Sequence, residues 1–494
     1  MTVRQVCLLI LLGSVAGCTE NVTSISPTSV VAAGPAFKLT VLGSGFGSGD
    51  TVQWNGSNRA TTYVSTTELI AQINEADIAA AGSASVTVTN PSAAAFGSSG
   101  TSGTSGTSGS SSNTGTVSIV APSGDANAYQ IDPMHDGAIA LTSDSVSFPT
   151  SPTWQLNLGP GAPSNIVIAD SKVFLTLGAS GGSQLLALDQ SNNGATAWGP
   201  VKIAGSAGVA AGVAFDDDQV FVAQDQSTSS TGGSTLYAFN ADTGALNWST
   251  ALGGASPGAP TAADGYVYVI VTASATLLAL NETTGAIAWQ QSLSGASGTP
   301  AVTADGVYVA ATTSGCFTID FRPATGEVIW NTSNGTLYCP QGATPAVANQ
   351  LVYSSSTSGI AIFDSESGDN STGSLSYALP AAFSGSTAYF LQGSNLQALN
   401  LTDAAASDSV QWSFNGDKEL NTPPIVVDGQ YVIAGSSVGN LYAVDATSGA
   451  SVWTQSLGNN VVQLAVGDGL LMAVSETGND NSGTLTAYTI SSSP

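Results

Sequence analysis

Short runs of alternating apolar and polar residues, punctuated by Gly, Pro, Asn and Asp, fill most of the chain. FKLTVLG (37–43), TVQW (51–54) and ASVTVTN (84–90) put apolar side chains at every second position, the period of a half-buried strand. No segment holds a 3.6-residue period, so an all-β protein is expected. Between 97 and 115 the alternation stops: GSSGTSGTSGTSGSSSNTG has no apolar residue and cannot pack. A flexible linker over 96–115 is expected there, separating a first folded unit from a tethered remainder.

From residue 150 the pattern becomes periodic. AFNADTGALNW (238–248) is rewritten as ALNETTGAIAW (279–289) and AVDATSGASVW (443–453). Each copy follows an inner strand such as APTAAD, TPAVTAD or TPPIVVD and a second strand such as GYVYVIV, GVYVAAT or GQYVIAG. Trp154, Trp198, Trp248, Trp289, Trp330, Trp412 and Trp453 mark the copies, with three gaps of 41 residues and one of 82. The double gap places a missing tryptophan at Thr372, four residues after Gly368 in the degenerate copy IFDSESGDNST. A period near 40 with four short strands per unit is the signature of a β-propeller. In each turn Asp or Asn accepts local backbone hydrogen bonds, Gly supplies positive φ, and the indole is expected to fill the wedge between neighbouring blades.

The ends of the array count the blades. After Trp453 come VVQLAVGD, GLLMAVSE and TLTAYTI without a Trp strand, while TWQLNL (153–158) is a Trp strand with no preceding three. Pairing them gives eight blades over 150–494, the last closed by strands from both termini, which removes open sheet edges. Residues 116–149 read as a lead-in.

Three resemblances sharpen this picture. Ile25-x-Pro27-x-x-Val30, FKLTVLGSGF, Val52-x-Trp54-Asn55-Gly56 and the closing VTVTNP resemble the IPT/TIG family of immunoglobulin-like domains. A small β-sandwich over 18–95 is implied, with Phe46 and Trp54 in its core. The Ala-x-Asp-x-x-Thr-Gly-x-x-x-Trp repeat resembles that of pyrroloquinoline quinone enzymes and their cofactor-free relatives, and implies the same eight blades. MTVRQVCLLILLGSVAGCTE carries an apolar run too short to span a bilayer, and Val15-Ala16-Gly17-Cys18 resembles the bacterial lipobox. A signal peptide over 1–17 and acylation of Cys18 are implied, in preference to an ordinary signal peptide with an incidental cysteine.

Charge narrows the partners. Seven Lys and Arg stand against 33 Asp and Glu, a formal net charge of −26, so phosphate-rich nucleic acid is not expected to bind. Charged residues make up only 8% of the chain, so hydroxyls and amides solvate its surface. Divalent cations and polar glycans stay compatible with it. Of four cysteines, Cys7 leaves with the signal and Cys18 is acylated; Cys316 and Cys339 remain, and a disulfide is preferred over two buried thiols.

Catalytic groups are sparse. His135, in YQIDPMHDG, is the single histidine and reads as a packing and hydrogen-bonding residue rather than a catalytic one. Asp189-x-Ser191-x-Asn193-Gly194 looks like half of a calcium loop but coincides with the turn every blade has, and Asp216-Asp217-Asp218 sits between two strands where Asp forms turns. The quinone enzymes hold their cofactor with calcium, an Asp base, a stacking Trp and adjacent disulfide-bonded cysteines. No two cysteines are adjacent here, and no matching calcium ligand set is found. The expectation is a lipid-anchored envelope protein of the outer membrane or cell surface. Its propeller, on an immunoglobulin-like stalk, binds a protein or glycan without catalysis and without quinone or calcium. A quinoprotein dehydrogenase, or a scaffold similar to the propeller lipoprotein of the outer-membrane β-barrel assembly machine, are the alternatives.

Overall fold

Alternation dictates the first unit: in Phe37–Ser44 the side chains of Phe37, Leu39 and Val41 turn inward while Lys38 and Leu42 face solvent. The computed structural model describes residues 20–32, 37–90, 110–120, 124–141, 145–206, 211–226, 233–296, 298–312, 314–336, 338–356, 359–401, 409–477 and 482–490. They divide into two units, 1–121 and 122–494. The first is a sandwich of two mainly antiparallel sheets over a core containing Leu39, Leu69, Val86 and the buried Phe46 and Trp54. The indole of Trp54 donates its N–H to the Asp77 carbonyl at 3.3 Å, so burial leaves no donor stranded.

Here the structure corrects the expected boundaries. Gly115–Val120 is a strand of the sandwich, antiparallel to Gly82–Asn90 and parallel to Ser29–Val31. Ser110–Ser111 pairs with Thr89 and Asn90. The chain that ends the strand Gly82–Asn90 therefore comes back, after a Gly/Ser/Thr-rich tract of which 91–109 lie outside the described residues, to pair with that strand. The tract is an excursion within the sandwich and not a linker to the propeller, and the lead-in begins after the sandwich ends rather than at 116. The physical reason is burial: Val117 and Ile119 alternate with Thr116 and Ser118 and complete the sandwich core.

Among its described residues the second unit contains eight sheets built on four antiparallel strands, one of them extended by the parallel strand Ala138–Ile139, the propeller the repeat predicts. Seven run in simple sequence order, over 167–204, 212–253, 261–292, 301–333, 346–375, 382–414 and 425–456. They are blades one to seven. In the eighth, Trp154–Pro160 pairs with Ser482–Thr489, followed outside-in by Leu470–Thr477 and Asn460–Gly467. The innermost strand Val167–Ala169 touches Gly212–Asp216 on one side and Asn460–Gly467 on the other, which closes the ring. Packing explains the pattern: second strands such as Tyr266–Val271 lie between two neighbouring sheets and are buried on both faces, so they read as continuous apolar runs. Outer strands such as Ile287–Ser292 bury mainly their tryptophan.

Each such tryptophan docks on the turn of the next blade. Trp289 donates its indole N–H to the Pro323 carbonyl at 2.7 Å, and its ring lies on Gly326. At φ +70°, a Cβ on Gly326 would stand 2.5 Å from the indole Cε3, so this position needs glycine for its backbone and for the ring. The same pairing joins Trp154 to Gly194, Trp198 to Gly244, Trp248 to Gly285, Trp330 to Gly368 and Trp412 to Gly449. Trp453 instead donates to the Pro149 carbonyl at 2.7 Å and stacks on Phe148. The degenerate copy loses both partners together. Thr372 stands in the tryptophan position of Asn370–Leu375, and the next blade has no glycine between Gly393 and Gly416.

Cys316 and Cys339 form a disulfide, with Cα atoms 4.6 Å apart. It ties the start of the third strand of blade four to the segment that follows its outer strand, and closing that loop contributes about 3 kcal/mol in the chain-entropy view.

Candidate functional site

Innermost propeller strands turn one edge toward the axis, where their N–H groups have no neighbouring strand to bond. The lead-in supplies the partners. Its carbonyls accept from successive inner strands as it runs around the axis. Gly124 accepts from Asp468 of blade eight, Ala126 from Ile168 of blade one and Asn127 from Phe215 of blade two. Pro133 then serves Val302 of blade four, Met134 serves Val347 of blade five, Asp136 serves Phe383 of blade six, and Gly137 and Ile139 serve Val426 and Asp428 of blade seven. One strap thus satisfies seven of the eight blades and floors the axial opening. Nothing periodic in the sequence announces it, because each of its residues answers to a different strand. Its local cues are the turn formers of Gln130-x-Asp132-Pro133-x-x-Asp136-Gly137, with positive φ at Gln130, Ile131, His135 and Gly137.

Two cavities adjoin this floor. One, of about 120 Å³, is walled by Tyr129, Gln130, His135, the segment 340–346, Ser355 and Leu379-Pro380. The other, of about 330 Å³, lies beyond Tyr129 and Gln130 against Pro163, Ile166, Pro423, Ile425 and Leu464. Both are framed by the stretches where the chain enters an inner strand. The disulfide borders the first: Cys339 leads directly into Pro340.

The chemistry of the floor is that of buried polar groups whose ionisation burial disfavours. His135 is 2% exposed, and burial lowers its pKa to about 4, so the ring is neutral. Its Nδ1 faces the Pro345 carbonyl at 3.1 Å. A carbonyl can only accept, so Nδ1 carries the proton and Nε2 keeps a bare lone pair, for which there is no donor among the described residues. Tyr129 meets the ring edge-on at 5.6 Å. The side-chain Nε2 of Gln130 is likewise buried without an acceptor. Beneath them Asp132 is raised to about 7 by burial, against the pull of the Asp136, His135 and Met134 N–H groups. Asp136 is raised as well, by burial and by the charge of Asp132.

The other expected residues lie elsewhere. Asp189 spends one carboxylate oxygen on Ser191 and on the N–H of Asn192, a turn, and not a half-empty coordination shell. Asp217 and Asp218 have positive φ in the tight turn after Gly212–Asp216. Cys18 lies outside the described residues. Sequence reasoning missed Glu282, which is 2% exposed with neither carboxylate oxygen bonded. It also missed Asp320, whose pKa burial raises to about 8.

Comparison with known proteins agrees with this architecture. The family model described as outer membrane protein assembly factor BamB matches residues 181–391 and 392–492. The chain belongs to this family. An IPT/TIG domain matches 21–105. Among solved structures, BamB from Moraxella catarrhalis aligns at 18% identity and a TM-score of 0.50 over 70% of this chain and 98% of that one. Quinohemoprotein alcohol dehydrogenase from Comamonas testosteroni aligns at 13% identity and a TM-score of 0.56 over 75% and 81%. A europium-containing methanol dehydrogenase aligns at 13% identity and 0.54 over 74% and 98%. These likenesses are of fold. No curated protein sequence matches the chain.

The quinone of the dehydrogenases does not fit this floor. A cofactor with three carboxylates needs counter-charge, yet neither cavity is lined by any of the propeller's basic residues Lys172, Lys202, Arg322 and Lys418. Among the described residues no three His, Cys, Asp or Glu side chains converge as a metal-binding group. The cysteines that pair are 23 residues apart.

Proposed function

We propose that the chain is a lipid-anchored, non-catalytic scaffold of the cell envelope, whose propeller binds a protein partner and whose immunoglobulin-like unit acts as a stalk. The observation that carries the reading is membership of the assembly-factor family across most of the propeller, together with an axial floor whose histidine is neutral and whose two adjoining cavities no lysine or arginine lines. A floor of that kind offers no counter-ion for an anionic cofactor. The outer membrane or the cell surface is the proposed location. In-membrane cross-linking of the full chain, followed by affinity capture, tests the function: a defined protein partner is expected, and recovery of the uncross-linked chain alone would remove the scaffold reading.

Anchoring is tested separately. Cys18→Ser is expected to shift the protein from the membrane fraction to the soluble one, because acyl chains are the proposed hold on the bilayer. A Cys18→Ser chain that still pellets and resists salt washing would refute acylation as the anchor.

A further inference from the structure

We propose that the larger of the two axial cavities is a binding site for a small organic cation, an ammonium group carried on an apolar body, held by Glu476 and Gln463. The inner strand of blade eight marks the place. Inner strands elsewhere in the ring are buried along their length, as Val167–Ala169, Ala346–Ala348 and Ile425–Val427 are. In Asn460–Gly467 the run Val462, Gln463 and Leu464 stays half-buried, at a bulge between Val461 and Gln463. Bulges re-aim side chains and recur next to active sites. The strap's bond to this blade goes to Asp468, past the end of the strand, which leaves these three residues to line the cavity.

Cross-strand register brings the two polar groups together. Gln463 pairs with Val474, and Glu476, two residues on, occupies the same face of the sheet. Glu476 itself pairs with Asn460, whose side-chain oxygen accepts at 3.0 Å from Asn421, just before blade seven. That face therefore looks toward blade seven, whose Ile425 forms part of the cavity wall, and Gln463 and Glu476 line the same cavity. Both side chains are half-buried rather than sealed in, and no hydrogen bond or ion pair engages either among the described residues. An ammonium group answers both. It donates to the carboxylate of Glu476 and to the side-chain carbonyl of Gln463, and a charge-assisted bond is roughly twice as strong as a neutral one.

Charge and shape select the class. No lysine or arginine lines the cavity, and a chain with net charge −26 repels anions and draws cations. A bare divalent ion would meet a single carboxylate, short of the oxygen shell it takes. Val462, Leu464, Ile166 and Ile425 supply apolar walls for the body of a ligand. Apolar walls with a few placed polar groups are the pattern of small-molecule sites, and a volume of about 330 Å³ lies at their lower end.

The proposal goes beyond the scaffold reading and does not depend on it, because its test contains no protein partner. Ligand-observed NMR titrations of the full, purified chain at pH 7 compare hexylammonium, hexanol and hexanoate, which share an apolar body and differ in charge. Hexylammonium is expected to saturate a single site, hexanol to bind about tenfold more weakly and hexanoate not to bind, the first step being the scale of one hydrogen bond to a charged group. Glu476→Gln should weaken hexylammonium by the same factor and leave hexanol unchanged. Leu464→Ala should weaken both alike. Asp218→Asn removes a charge from the exposed turn after the inner strand of blade two, and should change nothing. Equal binding of hexylammonium and hexanol overturns the ammonium assignment. Equal losses in Glu476→Gln and Asp218→Asn, or no saturable binding at all, overturn the site.

Discussion

Trp289→Ala is expected to destabilise the propeller by roughly 3–5 kcal/mol, the range for deleting a large buried aromatic. The indole is 9% exposed, packs 5.9 Å from Tyr268 and 6.3 Å from Phe321 by ring centroid, and donates to the Pro323 carbonyl at 2.7 Å. Its removal leaves a cavity between blades three and four and a Pro323 carbonyl with only the Tyr268 hydroxyl, at 3.4 Å, as donor. Gly326→Ala should also destabilise, by about 1–3 kcal/mol, since its Cβ would enter the indole and its φ of +70° disfavours any side chain. The pair supplies the sharper test. With the indole gone the alanine methyl has room, so the double variant should lose at least about 1 kcal/mol less than the sum of the singles. Strict additivity in chemical denaturation, or a near-zero effect at Trp289, would show that ring and turn are not packed as one interblade joint.

That joint explains why so much of the fold is legible in the sequence. Trp, Gly and the Asx residue of the turn must meet at a fixed distance wherever two blades share this joint, so they recur at a fixed period, and the period counts the sheets. The degenerate copy supports the physics: where Trp gives way to Thr372, the glycine it would have packed on is absent from the following blade. The closing strand Trp154–Pro160 was legible for the same reason, being an outer strand without its three companions.

What repeats could be read; what occurs once could not. The strap 124–139 makes its bonds to seven different strands, so no periodicity marks it, and only proline, glycine and Asx turn formers hint at its path. The strand Gly115–Val120 was misassigned because a low-complexity tract resembles a domain boundary whether it joins two domains or two strands of one. The tract's composition predicts that it does not pack, and says nothing about what it connects. His135 and Gln130 are ordinary residues in the sequence; their burial, with a fixed tautomer and unmet partners, is something only tertiary geometry reveals.

Glu282→Gln is expected to stabilise the protein at alkaline pH while leaving it nearly unchanged near pH 5. Glu282 follows Asn281 in the turn of blade three, where its carbonyl accepts from the indole of Trp248 at 2.7 Å and from Gln219 at 3.3 Å. Those bonds hold the residue in place, so its side chain stays buried, and neither carboxylate oxygen has a partner. Burial raises its pKa to about 8, with the charges of Asp216, Asp217 and Asp264 adding to the rise and the Gly265 backbone contact opposing it. In the unfolded chain the group titrates at its ordinary value of 4.5. Between these values the folded state binds the extra proton, so stability falls as pH rises through the window from about 4.5 to about 8, and the full cost is present above it. Glutamine cannot ionise and removes that cost, which is of the order of 2–5 kcal/mol for a shift of this size. Thermal melts of both chains from pH 5 to 9 should therefore diverge, the wild type falling more steeply. Asp320, raised to about 8 in blade four, is a second buried acid of this kind, so Asp320→Asn serves as the comparison. If the Glu282→Gln and wild-type melts stay parallel while Asp320→Asn alone flattens the profile, the alkaline sensitivity belongs to blade four and Glu282 is charged in the folded protein.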